Sequence, residues 1–90
     1  MATAAATAYP HITKTPEVCG GKACIDGTRI RVNNVVFLHK NGANDEKIHV
    51  AYPDLTPAQI HAALAYYYDN RAEIDTELVA DRAWADSLGR

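Results

Sequence analysis

The side chains best suited to chemistry in this chain are two cysteines, four histidines, a run of three tyrosines and a scattered set of cations. Cys19 and Cys24 stand five positions apart with no second ligand pair, a poor zinc signature, and in a reducing compartment they read as free thiols. His39, His49 and His61 fall on three separate predicted helices, none with a partner one turn away, so their spacing builds no metal site. Tyr66, Tyr67 and Tyr68 offer faces on which bases can stack. Consecutive helix positions point in different directions, however, which assigns one ring to the core and the others to surface or interface. The sequence holds no Ser/His/Asp order, HExxH motif, phosphate loop or cysteine motif with a mechanism, and a small bundle has little room for a pocket. The residues read as those of a binding protein rather than an enzyme, with no metal, cofactor or small-molecule substrate.

Two sets of residues suit recognition. Arg29, Arg31 and Lys47 are candidate phosphate contacts. Gln59 has the carboxamide for a bidentate contact to adenine, His61 lies two positions on, and Ala58, Ala62 and Ala65 allow close approach to a groove. The electrostatic objection is that no Lys or Arg occurs from Thr56 to Asn70. The second set is C-terminal: Ile74, Leu78, Trp84 and Leu88 recur among Asp75, Glu77, Asp81 and Asp86. Such an acidic amphipathic segment suits the apolar groove of a basic partner, or its own bundle.

The elements that must position these residues follow from periodicity and punctuation. Short strand-like runs at His11–Thr13, Ala23–Ile25 and Arg29–Val32 are separated by Gly20-Gly21 and Asp26-Gly27, which predicts a small β ribbon. Ile25, Ile30 and Val32 are its apolar positions, available for pairing with a second subunit. Asn33 or Asn34 is expected to cap a first helix that Gly42 stops, and Asn44 a short second one with Ile48 and Tyr52 inward. After a turn at Tyr52–Leu55, Thr56-Pro57 opens a third helix with Ile60, Ala63, Leu64 and Tyr67 on one face. A fourth helix is expected from Asn70, with Asn70 and Glu73 as a capping-box variant, to Leu88. The first three make the tri-helical arrangement of a helix-turn-helix, with 56–69 as its recognition helix.

At 90 residues and 48% hydrophobic content the chain has material for one compact core, of a size often completed by oligomerisation. The Ala/Thr-rich start, 1–8, is expected to be a disordered tail. Neither a signal-peptide pattern nor an apolar run of membrane-spanning length appears, which points to the cytoplasm. The net charge of −2 divides unevenly, +2 over residues 1–50 and −4 over 51–90, which suits a polyanion at one face and a basic partner at another.

Three runs, GGKACIDGTRIRV, NGANDEKI and AYPDLTPAQIHAALAYYYDN, resemble the domain-of-unknown-function family 433 (DUF433), some of whose members are described as VapB-type antitoxins. The specific elements are Gly20-Gly21-Lys22, Gly27-Thr28-Arg29-Ile30 with Val32, Gly42 before an acidic short helix, and Tyr52-Pro53 with Leu55-Thr56. The resemblance spans about residues 10–72 and implies a mainly α fold: a homeodomain-like three-helix bundle over 9–70 carrying the β ribbon, with 71–90 as a C-terminal helical arm. It further implies a homodimer and pairing with a PIN-like ribonuclease toxin. Two functions follow as expectations. One is an antitoxin that neutralises such a toxin and regulates its own operon through operator DNA; the other is a dimeric protein-binding adaptor or scaffold without DNA binding. Clustering of Arg29, Arg31 and Lys47 beside the exposed face of 56–69 would favour the first, and scatter the second.

Overall fold

Turn chemistry organises the N-terminal part of the computed structural model, which describes residues 5–6 and 9–88. Strands β1 (Ala5–Ala6), β2 (Ile12–Lys14) and β3 (Cys24–Ile25) form an antiparallel sheet in that order, with Ala6 opposite Thr13 and Ile12 opposite Ile25. The expected tail at 1–8 lies largely outside the described residues; of it, Ala5–Ala6 pairs with β2. At Asp26-Gly27 the chain reverses as expected, because Gly27 takes a φ of 78°. Thr28 fixes that reversal by donating from Oγ1 to the Ile25 carbonyl and accepting from the Ile30 N–H. The expected Arg29–Val32 strand shrinks to a single bridge between Arg31 and Cys24, since the chain enters the next helix at once.

That helix, α1 (Val32–Lys40), starts at Arg31 rather than at an asparagine cap. Its first N–H, on Val32, is satisfied by the Ala23 carbonyl, so the ribbon itself does the capping. Asn33 is instead buried and donates to Asp81. Helix α2 (Asp45–Ala51) is capped by Asn44, whose side chain accepts from the Lys47 N–H, with Asp45 and Glu46 in the first turn. Helix α3 (Pro57–Asp69) opens with a full capping box: Thr56 Oγ1 accepts from the Gln59 N–H, and Gln59 Oε1 accepts from the Thr56 N–H. Helix α4 (Arg71–Leu88) follows after Asn70. The expected Asn70/Glu73 box does not form there. Asn70 donates back to the Tyr66 carbonyl, and Glu73 turns to Tyr66 and Lys14.

The fold is therefore mainly helical, with four helices and a small antiparallel sheet among the described residues. Helix α3 lies at the centre, packed against α1, α2, α4 and β2. Its Ile60, Ala63, Leu64 and Tyr67 are buried as their spacing requires, and Tyr66 is buried as well, so two of the three tyrosines belong to the core. Ile12, Ile25, Val32, Val35, Val36, Ile48, Leu55 and Ile74 complete it. No helix among the described residues is long and apolar enough to cross a membrane.

Candidate protein-docking site

The geometry of α4 changes along its length. At about 1.5 Å per residue its 18 residues extend about 27 Å, twice the length of the nine-residue α1 beside it. Its first half is tied to the body by charge and hydrogen bonds. Lys14 Nζ meets Glu73 Oε1 at 3.1 Å, and Tyr66 donates to the same carboxylate at 2.9 Å. Lys40 Nζ lies 3.1 Å from Asp75 Oδ1, which also accepts from Tyr67 at 2.9 Å. The Tyr67 hydrogen bond, then Lys40, holds the Asp75 carboxyl below its ordinary range, and Asp75 in turn raises Lys40.

Further along, Arg31 donates to Glu77 at 3.1 Å and reaches Asp81 at 3.4 Å, while Asn33 donates to Asp81 at 2.9 Å. Glu77 is 9% exposed. A carboxylate so enclosed needs a hydrogen-bonding partner in place of water, and Arg31 is that partner. Beyond Asp81 the burial ends, and every residue from Arg82 to Leu88 is exposed. Trp84 is 67% and Leu88 64% exposed, although Leu88 continues the side on which Ile74 and Leu78 meet the core and Trp84 stands at its margin. At the root of this overhang, α1 and α4 enclose an apolar groove of about 530 Å³. Phe37, Leu38, Tyr52, Leu78 and Ala85 form its walls, Asn33 its floor and Arg82 its rim.

The sequence-predicted residues divide accordingly. Of the partner-facing set, Trp84 and Leu88 are presented to solvent, but Ile74 is fully buried and Leu78 packs against the core, because the first half of α4 completes the bundle. Of the ribbon set, Ile25 and Val32 are buried in the chain's own core and Ile30 packs on it, since the sheet lies directly over the helices. Their side chains are thus not available to a second ribbon. Among the cations, Arg31 is committed to α4, Arg29 sits on the hairpin loop and Lys47 on α2. Gln59 spends its carbonyl oxygen on the Thr56 cap, and His61 is paired with Asp45. On α3, Gln59 and His61 stand two positions apart, and His61 meets Asp45 at the start of α2, the helix that carries Lys47; the exposed face of α3 holds Pro57, Ala58, His61, Ala65, Tyr68 and Asp69.

Sequence reasoning missed Asn33, Glu77 and Asp81 as the latch between ribbon and α4. The signal was present: two acids one turn apart on an otherwise apolar stripe require a cation from elsewhere. Both cysteines are free, as expected; burial, followed by the neighbouring Cys19 thiol, pushes Cys24 up to about 12.

Comparison with known proteins places the class at this point. The family model described as "Protein of unknown function (DUF433)" matches residues 12–67, more than half of the chain, and the chain belongs to that family. The match ends before α4 begins. Among solved structures, a DUF433 member protein from Anabaena variabilis ATCC 29413, a crystal structure at 2.00 Å resolution, is 42% identical and superposes with a TM-score of 0.72. The alignment covers 77% of this chain and 68% of that one. No curated protein matches.

Proposed function

We propose that this chain is a non-catalytic protein-binding module of the antitoxin type, which holds α4 against its body and presents the distal half to a PIN-like ribonuclease toxin. The observation that carries this reading is the abrupt end of burial along one face of α4, from Ile74 at 0% exposed to Leu88 at about two-thirds, with Trp84 equally exposed at the margin of that face. A large exposed aromatic and an exposed leucine on one projecting helix end are the features of an anchoring surface. Asp86, exposed beside Arg82 on the same segment, offers a carboxylate to a basic face of such a partner.

Operator binding finds less support. A homeodomain-like reading of α1 to α3 places the exposed face of α3 against DNA, and that face carries no Lys or Arg. With Arg31 bound to Glu77 and Asp81, the remaining candidate phosphate contacts are Arg29 and Lys47. The dimeric adaptor remains the alternative, using the same surface toward a different protein.

The test is inhibition of RNA cleavage by a PIN-domain ribonuclease encoded in the same genome, using the full chain and a Trp84→Glu/Leu88→Glu variant. Stoichiometric inhibition by the full chain, lost in a variant of unchanged melting temperature, is expected. Inhibition by neither protein, or equally by both, would overturn the proposal.

A further inference from the structure

Two thiols stand where the backbone of the ribbon bends most sharply. Gly20 and Gly21 take φ of 66° and 80°, and Cys19 before them takes 55°, a left-handed conformation that a residue with a side chain rarely adopts. The three turn the chain back on itself, with the Lys22 N–H bonded to the Cys19 carbonyl, and Cys24 follows in β3. The Cys19 thiol reaches the second arm of the hairpin, where it donates to the Arg29 carbonyl at 3.3 Å. Cys24 stands opposite Arg31, between the bond from the Ile25 N–H to the Ile30 carbonyl and that from the Val32 N–H to the Ala23 carbonyl. In such a pair the two side chains project from the same side of the ribbon. The two thiols are neighbours there, within hydrogen-bonding reach of each other, and the Arg31–Glu77 ion pair lies close by. A strained residue that carries one member of an adjacent thiol pair is a mark of function rather than of packing.

We infer that Cys19 and Cys24 are a reversible oxidation site, which closes to an intramolecular disulfide by exchange with a low-molecular-weight disulfide of the glutathione class and so clamps the ribbon that caps α1 and supplies Arg31 to α4. Accessibility sets the order of events. Cys19, half-buried, gives up its proton, and its sulfur attacks the small disulfide, forming a mixed disulfide and expelling one thiolate. Cys24, 3% exposed, is closed to a bulky oxidant but open to Cys19. Its thiol loses its proton, its sulfur attacks that of Cys19, and the second thiolate leaves. Two protein thiols are thereby oxidised to one disulfide, the small disulfide is reduced to two thiols, and the two protons pass to the leaving groups. Burial holds the Cys24 proton tightly, so the second step is the slow one. Part of that hold comes from the Cys19 thiol and goes once Cys19 is derivatised, while the Arg31 guanidinium favours the Cys24 thiolate. The finished cross-link removes open conformations of the ribbon, and with them the breaking of the bonds made by the Ile25 and Val32 N–H groups.

Incubation of the full chain in a series of mixtures of reduced and oxidised glutathione, followed by alkylation and intact-mass measurement, tests the inference. The wild-type chain is expected to lose two hydrogens, to take up no alkylating group, to remain a single chain on a non-reducing gel, and to regain two alkylatable thiols when reductant is added. Two variants check the order of attack. Cys24→Ala is expected to stop with one glutathione on Cys19, and Cys19→Ala to resist modification when folded yet alkylate fully in urea. Amide hydrogen exchange reads the clamp: at Ile25 and Val32 it is expected to slow roughly tenfold on oxidation of the wild-type chain and to stay unchanged in Cys24→Ala treated alike. A wild-type chain that stays reduced, ends as a mixed disulfide or forms a disulfide-linked dimer overturns the site, as does a Cys24 that reacts as readily as Cys19. An intramolecular disulfide that leaves exchange at Ile25 and Val32 unchanged overturns the clamp.

Discussion

Arg31 and Glu77 show how one residue's environment redefines its role. In the sequence Arg31 is a cation in a ribbon, and Glu77 an interruption of an apolar stripe. In the fold they are a hydrogen-bonded pair at 3.1 Å that joins the first turn of α1 to the middle of α4. Their worth lies less in attraction than in the penalty for separating them, since either charge left alone beneath the helix is poorly solvated. Glu77→Ala is therefore expected to cost about 2 kcal/mol in urea unfolding, since Arg31 loses its nearer partner and keeps only Asp81. The double variant Arg31→Met/Glu77→Leu is expected to recover most of that loss, because two apolar side chains can occupy the site without unpaired charge. A double variant no more stable than Glu77→Ala would show that the pair itself, and not the arginine left with Asp81 alone, carries the energy.

Among the elements, helix starts were the most legible feature and helix roles the least. Thr56-Pro57 and Asn44 announce α3 and α2 locally, because a side-chain cap and a proline at the first helical position need no tertiary information. The start of α1 was misread because its cap is the Ala23 carbonyl, supplied from nine positions before Val32 in a hairpin whose closure cannot be seen in a local window. The divided character of α4 was hidden for a similar reason. Ile74, Leu78 and Leu88 are alike in type and share a face, with Trp84 at its margin, and only the lengths of neighbouring elements determine which are covered. At this scale Thr56→Ala is expected to cost about 1 kcal/mol by breaking the capping box. Amide hydrogen exchange should quicken across the first turn of α3 and remain unchanged in α4; uniform quickening through both helices would mean that the cap does not act locally.

For the whole molecule, the contacts of α4 with β2, α1 and α3 tie stability to pH at both ends of the scale. Asp75 is held below its ordinary 3.8 by Tyr67 and Lys40, so its contribution is present above that value and is lost as pH falls through the lowered folded value. Lys40 is raised above its ordinary 10.5 by Asp75, and Lys14 is raised by Tyr66 and Glu73. Their contributions are complete below 10.5 and are lost as pH climbs through the raised values. The difference in melting temperature between the wild-type chain and Asp75→Asn is thus expected to be constant between about pH 5 and 9 and to shrink toward about pH 2. A difference that holds constant down to the acid end would show that Asp75 titrates alike in the folded and unfolded chain. The balance between body and overhang was only partly readable beforehand, because it depends on which cations reach α4 from β2 and α1, and such pairings span 35 to 59 positions in sequence.

The two halves of α4 are also subject to different evolutionary constraints. Between Arg71 and Asp81, a substitution at Glu73, Ile74, Asp75, Glu77, Leu78 or Asp81 is felt by the core or by the ion pairs that hold the helix down, and most changes at those positions weaken the fold. From Arg82 to Leu88 all side chains are exposed, and exchanges at such positions ordinarily change stability by no more than about 0.5 kcal/mol. That stretch can drift, acquire a new charge pattern or trade one anchoring residue for another while the body beneath it stays the same. A fold divided in this way can change partners without being redesigned, and its descendants can diverge in specificity while keeping one architecture.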